Sequence, residues 1–285
     1  MNIATWNGGA VWTALGAGLG PANTLNPFNV GDVFAVIGNN IRAGGRFSGE
    51  PLVQQLNRYA DWDGAAWSEV DGGFNGTVSA IVIFGGNVVV CGGFGHGGDP
   101  RIELKRVAEL NGGNWAGTFN GTLRPITGGV NALHEYNGEL YAGGKLRDES
   151  PWEVSAVLRW DAALGEWQKL NWAFQGWPSG SPEVYAMATY DGDLVAGGAF
   201  VVNTNDGYQF NLARWDGLEW HSMGTGQGTG PGAEAWGAVL AIAEFDGDLY
   251  IGGFFNRVGV GGLASGGIVA PFIAKWNGAE WSAVE

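Results

Sequence analysis

The sequence predicts an all-β protein, a β-propeller built from four-stranded antiparallel blades. Three observations lead to this prediction: a hairpin that ends in a double glycine, a hairpin flanked by tryptophans, and a regular spacing of both. By residue number, successive double glycines lie 48, 51, 54 and 55 residues apart, at Gly44-Gly45, Gly92-Gly93, Gly143-Gly144, Gly197-Gly198 and Gly252-Gly253. A period near 50 with four strands in each period is the sequence signature of a propeller.

The clearest copy of the repeat occupies residues 184–220. Its first half is an alternating apolar strand, a turn at Asp191-Gly192 and a second strand that ends in the double glycine. Its second half is a strand, a turn at Asp216-Gly217 and a final strand, with a tryptophan on each side of the turn. Asp-Gly and Asn-Gly between apolar runs are strong hairpin signals, because the tight turn needs positive φ angles. Each copy therefore predicts two hairpins.

The chain opens with a tryptophan hairpin that has no partner hairpin, and five complete repeats follow it. The lone hairpin covers Ile3–Trp12, and the repeats cover about 32–70, 76–117, 129–170, 183–223 and 237–284. Because the repeats span nearly the whole chain, we expect one domain over residues 1–285, with five blades and a surplus N-terminal hairpin. Two alternatives stay open: six blades with one incomplete, and an exchange of strands between the termini.

Small and large side chains recur at fixed places in the repeat. An alanine column in the first strand, at Ala35, Ala80, Ala132, Ala186 and Ala241, suits the crowded region near a propeller axis. The tryptophans fall on the last strands, where the blades diverge and large rings fill the space. Since a single repeat cannot cover both of its faces, neighbouring blades must stabilise each other.

Composition excludes several classes of partner and site. The 285-residue chain has 28 acidic and 14 basic residues, a formal charge of −14. This charge repels phosphate groups, so we expect neither nucleic acid nor membrane as a partner. Cys91 is the only cysteine, which excludes an intrachain disulfide and a cysteine zinc cluster. It is aligned with Ala43, Ala142 and Ala196 before the double glycine, and predicted to be a small core residue. No cofactor and no metal site are predicted.

The order of strand, turn, strand, double glycine, loop and tryptophan hairpin resembles kelch-type repeats. It is similar to those of extracellular bacterial propellers and of the central domain of galactose-oxidase-like proteins. The resemblance implies a propeller fold and an extracellular or cell-surface location, with functions that range from protein-binding platforms and carbohydrate-associated proteins to some enzymes. The copper site of galactose oxidase needs a cysteine-linked tyrosine, a second tyrosine and two histidines. No such set matches here, so copper chemistry is not expected.

Long connections between the hairpins predict the functional face. Short turns lie inside hairpins, so strand alternation places the long connections together at the opposite end, where binding residues usually lie. Four tryptophans fall outside the repeat positions, in or beside these connections. Flat aromatics next to polar groups suit sugar rings or a protein interface. The candidate ligand-binding residues are Trp152, Trp172, Trp177, Trp236, Tyr208, Asp148, Glu183, Asp206, Arg101 and Arg147.

The expected function is non-catalytic binding or scaffolding, with a glycan or a protein as the ligand of the long-loop face. The alternative is a hydrolase or lyase with a site in an axial pocket, which would use carboxylates or His96 with Asp99, and a divalent metal. The Ile3–Trp12 hairpin could also pack on another chain and produce self-association. His134 is interpreted as a core or channel-lining residue.

Overall fold

The protein, described here from a computed structural model, is an all-β chain that forms a five-bladed β-propeller. This confirms the predicted fold class. The structure describes residues 4–6, 12–14, 31–47, 56–121, 127–147, 154–170, 174–176, 181–204, 207–223, 237–259 and 267–284, and these contain no helix. None of them therefore forms a helix long and apolar enough to cross a bilayer. The chain falls into two compact units, residues 1–130 and 131–285.

The first unit contains the surplus hairpin and two blades. The hairpin strands Ala4–Trp6 and Trp12–Ala14 pair with each other. Blade 1 consists of Gly31–Ile37, Asn40–Gly45, Tyr59–Trp62 and Trp67–Glu69. Blade 2 consists of Val78–Phe84, Asn87–Gly92, Val107–Asn111 and Asn114–Ala116, and a short pair, His96–Gly97 with Ile102–Glu103, precedes its third strand.

The second unit contains three blades, the first of which begins just before the unit boundary. Blade 3 consists of Thr127–Tyr136, Glu139–Arg147, Val154–Asp161 and Glu166–Lys169. Blade 4 consists of Glu183–Tyr190, Asp193–Thr204, Gly207–Trp215 and Trp220–His221, with Phe174–Gln175 as a fifth strand. Blade 5 consists of Ala238–Phe245, Asp248–Phe254, Ile273–Trp276 and Trp281–Ala283, with a short pair, Arg257–Val258 and Ile268–Val269.

The strands of each blade are antiparallel and joined in order, so the tight turns lie at one end. In each blade the second strand ends and the third strand begins at the other end, called here the long-connection end. The first hairpin turns are the predicted two-residue type. Asp191 and Gly192 have φ of 50° and 84°, and Asn137 and Gly138 have φ of 52° and 77°.

The tryptophan hairpin of blade 4 turns differently from the prediction. Trp215 pairs with Trp220, so the loop has four residues rather than two. The Asp216 carboxylate accepts hydrogen bonds from the backbone N–H groups of Leu218 (2.7 Å) and Glu219 (2.8 Å). The turn therefore needs the side-chain oxygen of Asp216 rather than a positive φ at that residue. Within this turn, only Gly217 has a positive φ, at 101°.

The two residues of the double glycine are required for different reasons. A Cβ on Gly197 of blade 4 would lie 2.6 Å from Cγ1 of Val239, which belongs to the first strand of blade 5. A Cβ on Gly198 would lie 2.0 Å from the carbonyl oxygen of Glu183 in its own blade. The first glycine thus lets the next blade approach, and the second fits a β-bulge in the first strand. Gly44 and Gly143 have the same valine contact.

Blade 2 departs from the predicted alignment of the double glycine. Cys91 pairs with Ala80 across the sheet, just as Gly197 pairs with Ala186. Cys91 therefore stands at the first-glycine position rather than at the position before it. Its sulfur lies 3.6 Å from the carbonyl oxygen of Val130, and burial raises the pKa of the thiol. The prediction of a small buried core residue is confirmed.

The alanine column is also displaced in blade 1. Ala35 pairs with Arg42, whereas Val33 pairs with Gly44 and thus takes the place of Ala186. In blade 1 the turn follows Ile37, two residues after Ala35. In blade 4 the turn follows Tyr190, four residues after Ala186. The alanine of blade 1 therefore lies two residues closer to its turn.

Tryptophan pairs close the last hairpins of four blades. The ring centroids of Trp215 and Trp220 lie 5.4 Å apart, and both rings are buried. The same pairing occurs in Trp62–Trp67, Trp160–Trp167 and Trp276–Trp281. These contacts confirm that the repeat tryptophans serve packing.

Candidate functional site

A cleft of about 300 Å³ lies at the long-connection end between blades 1 and 2, within the first unit. Three segments form it: the residues before the third strand of blade 1, the connection between the blades, and the loop after the second strand of blade 2. The lining residues are Asn57, Arg58, Gly72, Gly73, Phe74, Asn75, His96, Gly97, Gly98 and Arg101. The cleft therefore lies at the end where the sequence predicts the functional face.

Backbone hydrogen bonds join the three segments. The N–H of Phe74 donates to the carbonyl oxygen of Asn57 (2.9 Å), and that of Asn75 donates to the carbonyl oxygen of His96 (3.0 Å). The N–H of Gly98 donates to the carbonyl oxygen of Gly73 at 3.2 Å. The cleft walls thus have a defined geometry without a ligand, which lowers the entropy cost of binding.

Asparagine side chains hold the edges of the cleft. Oδ1 of Asn75 accepts hydrogen bonds from the N–H groups of Gly95 (2.8 Å) and His96 (2.9 Å). Nδ2 of Asn57 donates to the carbonyl oxygen of Gly72 at 3.1 Å. Both amides therefore position backbone segments.

Carboxylates beside the cleft also serve the backbone. Oδ1 of Asp71 accepts from the N–H of Asp99 (3.0 Å), and Oδ2 accepts from the N–H of Trp115 (2.6 Å). Burial raises the pKa of Glu69, and the charges of Asp99 and Asp71 raise it further. The Asp99-Pro100 peptide bond is cis. Asp71 thus acts as a structural acceptor, with both oxygens occupied.

The aromatic rings beneath the cleft are packed together. Phe74 and Trp115 are each 3% exposed, and their ring centroids lie 4.5 Å apart. Phe94 packs on Phe74 at 4.4 Å. These rings support the cleft floor from below, so Phe74 lines the cleft without offering an open stacking face.

Two arginine side chains and one histidine side chain line the cleft. Arg58 donates from Nη1 to the carbonyl oxygen of Phe74 at 2.9 Å, which anchors its guanidinium. Arg101 is exposed and forms no hydrogen bond or ion pair with any residue that the structure describes. His96 is exposed beside them. Two guanidinium groups and an imidazole therefore line one cleft of an acidic chain.

Three of the predicted ligand-binding residues have described side chains. Arg101 lines the cleft, whereas Tyr208 and Glu183 belong to blade 4 in the second unit. Tyr208 is 54% exposed. Glu183 accepts hydrogen bonds from Nδ2 of Asn131 (3.0 Å) and from the Tyr185 hydroxyl (3.1 Å). Burial and the Glu183 charge raise the pKa of Tyr185 to about 12. Glu183 therefore ties blade 4 to blade 3.

The other predicted binding residues lie outside the described side chains. For Arg147 the structure describes only the backbone, which pairs with Val154 at the end of its strand. The remaining six lie outside the described residues: Asp148, Trp152, Trp172, Trp177, Asp206 and Trp236.

His134 lies between the first strands of blades 3 and 4. Its Nε2 lies 2.8 Å from Oγ1 of Thr189, and burial lowers the pKa of the imidazole. Within the described ranges, no group of three or more His, Cys, Asp or Glu residues could hold a metal ion.

Sequence reasoning missed Asn57, Arg58 and Asn75. Asn57 and Arg58 lie between the second and third strands of blade 1 and Asn75 lies between two repeats, where no turn or aromatic pattern marks them. Arg58 has φ 65°, an uncommon value for a residue other than glycine. Positive φ recurs immediately before the third strand at Arg106 and Phe272, and within the longer third strand of blade 4 at Asn211, so the conformation belongs to the repeat rather than to the cleft alone.

Comparison with known proteins gives a likeness of fold alone. No family model matches the chain, and no curated protein matches it either. One similar solved structure is described as the extracellular domain of a hybrid two-component system from B. thetaiotaomicron, at 14% identity and a TM-score of 0.43. The alignment covers 78% of this chain, which spans about a quarter (26%) of that one. The computationally designed Ika8 protein also aligns, with 14% identity, a TM-score of 0.43, and coverage of 86% of this chain and 58% of that chain. At this identity neither likeness bears on function.

Proposed function

We propose that this chain is a non-catalytic binding module of kelch-like repeats that recognises a glycan or a protein through its long connections. The cleft between blades 1 and 2 carries this proposal. Its walls are pre-organised by backbone hydrogen bonds, and Arg101 presents a guanidinium that no described residue neutralises. A cleft of about 300 Å³ lies at the lower end of the range of about 300–1,000 Å³ typical of small-molecule sites.

The arrangement of hydrogen-bonding groups favours binding over catalysis. A general acid or base must be free to exchange a proton with the substrate. Both oxygens of Asp71 are occupied by backbone N–H groups, and Asn75 holds the loop of His96. The groups left facing the cleft are mainly donors, which suits recognition of an oxygen-rich ligand.

Binding can be tested with a glycan array and a peptide array, probed with the wild-type chain and with Arg101→Ala. We expect a defined set of spots that fades in Arg101→Ala and persists in Lys145→Ala, which removes an exposed cation of blade 3. Equal signals for the wild type and Arg101→Ala would contradict the assignment of the cleft as the binding site.

The presence of His96 in the cleft supports a second candidate, a hydrolase or lyase. A panel of chromogenic glycoside, ester and phosphate substrates, with and without a chelator, tests it. Turnover that is lost in His96→Ala and kept in His221→Ala would establish catalysis and displace the binding proposal.

Location and assembly are part of the same proposal. An extracellular or cell-surface location is in keeping with the acidic charge of −14. Nucleic acids and anionic membranes are disfavoured as partners by the same charge. Self-association through Ile3–Trp12 is tested by light scattering before and after removal of residues 1–15. An unchanged mass would exclude this hairpin as the interface.

A further inference from the structure

We propose that the cleft between blades 1 and 2 binds the carboxylate or sulfate group of an acidic glycan. The inference rests on the proposed binding function and names the chemical class of its ligand. Arg101 is the principal contact, Arg58 adds a second guanidinium, and the His96 imidazole lines the same cleft.

The first argument concerns which cationic side chains have an acidic partner. Four cations in the blade strands have acidic partners, and three of them are Arg214 with Asp193, Lys275 with Asp248 at 2.6 Å, and Arg159 with Glu139 at 3.3 Å. Blade 1 has the pair Arg42–Asp61 at 3.5 Å. Arg58 and Arg101 have no acidic partner among the described residues, and they line the same cleft. Arg106 and Arg257 also lack an acidic partner among the described residues, and their guanidinium groups donate to the carbonyl oxygens of Gly93 and Gly267 instead.

The guanidinium groups have the geometry for an oxyanion. Arginine presents five N–H donors in a planar fork that matches carboxylate and sulfate oxygens two at a time. Arg58 uses one donor on the carbonyl oxygen of Phe74, which orients the group and leaves other donors available. Among the described residues Asp71 pairs with neither guanidinium, and its two oxygens accept the backbone N–H groups of Asp99 and Trp115.

The shape of the cleft favours a saccharide over a folded protein surface. Four of the lining residues are glycines, Gly72, Gly73, Gly97 and Gly98, so the ligand meets backbone at close range. A narrow recess that holds amides and guanidinium groups suits a hydroxyl-rich ring with one acidic substituent. The packed state of Phe74 means that hydrogen bonds and charge, rather than ring stacking, supply most of the recognition within this cleft.

Titration calorimetry with the full chain tests the inference. The probes are trigalacturonate, which carries carboxylates, a sulfated galactan oligosaccharide of similar length, and neutral galactotriose. We expect one or both acidic probes to bind and the neutral probe to bind at least about tenfold more weakly. Binding should weaken as salt is raised from 0.05 to 0.5 M, because screening shortens the range of the attraction.

Matched variants locate the contact. Arg101→Gln removes the exposed charge and should weaken acidic-probe binding by about 10- to 100-fold. Arg101→Lys keeps the charge but not the planar fork, so an intermediate loss is expected. Lys145→Gln removes the same charge from blade 3 and should leave affinity within about twofold of wild type. Arg101 is exposed, so its variants should keep the wild-type melting temperature.

The remaining outcomes distinguish failure of this inference from failure of the proposed binding function. Equal affinity for neutral and acidic sugars, with dependence on Arg101, would overturn the acidic ligand and leave glycan binding in place. If a glutamate-rich peptide binds in an Arg101-dependent way and no saccharide binds, the ligand is not a glycan. Protein binding would then remain as the proposed function. Acidic-probe binding that is unchanged in Arg101→Gln would overturn the cleft as its site. Failure of every probe here, together with blank glycan and peptide arrays, would overturn both proposals.

Discussion

Substitution of Gly197 by alanine tests how the blades pack against each other. The added Cβ would lie 2.6 Å from Cγ1 of Val239 and 2.8 Å from Cδ1 of Ile242. Carbon atoms in contact normally lie about 3.5–4.0 Å apart, so both side chains must move by roughly an ångström. Val239 is fully buried and has little room to do so. Overpacking of this kind costs about 1–3 kcal/mol, which in a domain of this size lowers the melting temperature by about 2–12 °C.

Blade 5 provides the matched control. Gly252 occupies the same repeat position, since it pairs with Ala241 as Gly197 pairs with Ala186. Among the residues that the structure describes, a Cβ there would meet only the Phe272 carbonyl oxygen at 3.8 Å and the Ala241 Cβ at 4.0 Å. Gly252→Ala should therefore be neutral or raise stability by about 0.4–1 kcal/mol, through loss of freedom in the unfolded chain.

Urea and thermal unfolding, followed by tryptophan fluorescence, measure both variants. The double variant Gly197→Ala/Val239→Ala should recover part of the loss, with a coupling of about 0.5–3 kcal/mol, because removal of the valine methyl groups relieves the contact. If Gly197→Ala is no less stable than Gly252→Ala, or if the double variant shows simple additivity, the role of the first glycine in blade approach is wrong.

Three further predictions concern titratable groups. Cys91 is buried and its thiol pKa is raised, so a thiol reagent should modify it only after unfolding; rapid labelling of the folded chain would contradict this. Hydrogen bonds from Glu219 and Leu218 lower the pKa of Asp216 to about 2, below its value in the unfolded chain. The resulting stability is present above about pH 4 and lost as the pH falls toward 2. Asp216→Asn keeps a side-chain oxygen that can accept the turn hydrogen bonds, as Asn277 does in blade 5. The difference in unfolding free energy between this variant and wild type, measured by urea titration, should therefore shrink as the pH falls from about 4 to about 2. Burial lowers the pKa of His134, so its NMR titration midpoint should lie below about 6.5. Its contribution to stability should fall as the pH drops below that value. A midpoint above about 6.5 would contradict the buried environment.

The candidate site was only partly predictable. The long-connection end and Arg101 follow from strand alternation and from the sequence of the loop. Asn57, Arg58 and Asn75 were not predicted, because they lie in short segments that lack repeat features. They become a site through hydrogen bonds to the loop of His96, such as that from Asn75 at 3.0 Å. Such contacts join residues of different blades, and sequence order does not reveal them.

The sequence by itself determined the repeat, most of its strands and the two-residue turns of the first hairpins, and it favoured five blades over six. Those features arise from interactions between near neighbours in the chain: positive φ at Asp191-Gly192, alternation of apolar residues, and tryptophan pairs across one loop. Only the tertiary structure decided why Gly197 must lack a side chain, why Cys91 stands at that position in blade 2, and which cations share a cleft. Those answers depend on the distance between one blade and the next, which is set when side chains far apart in sequence pack against each other.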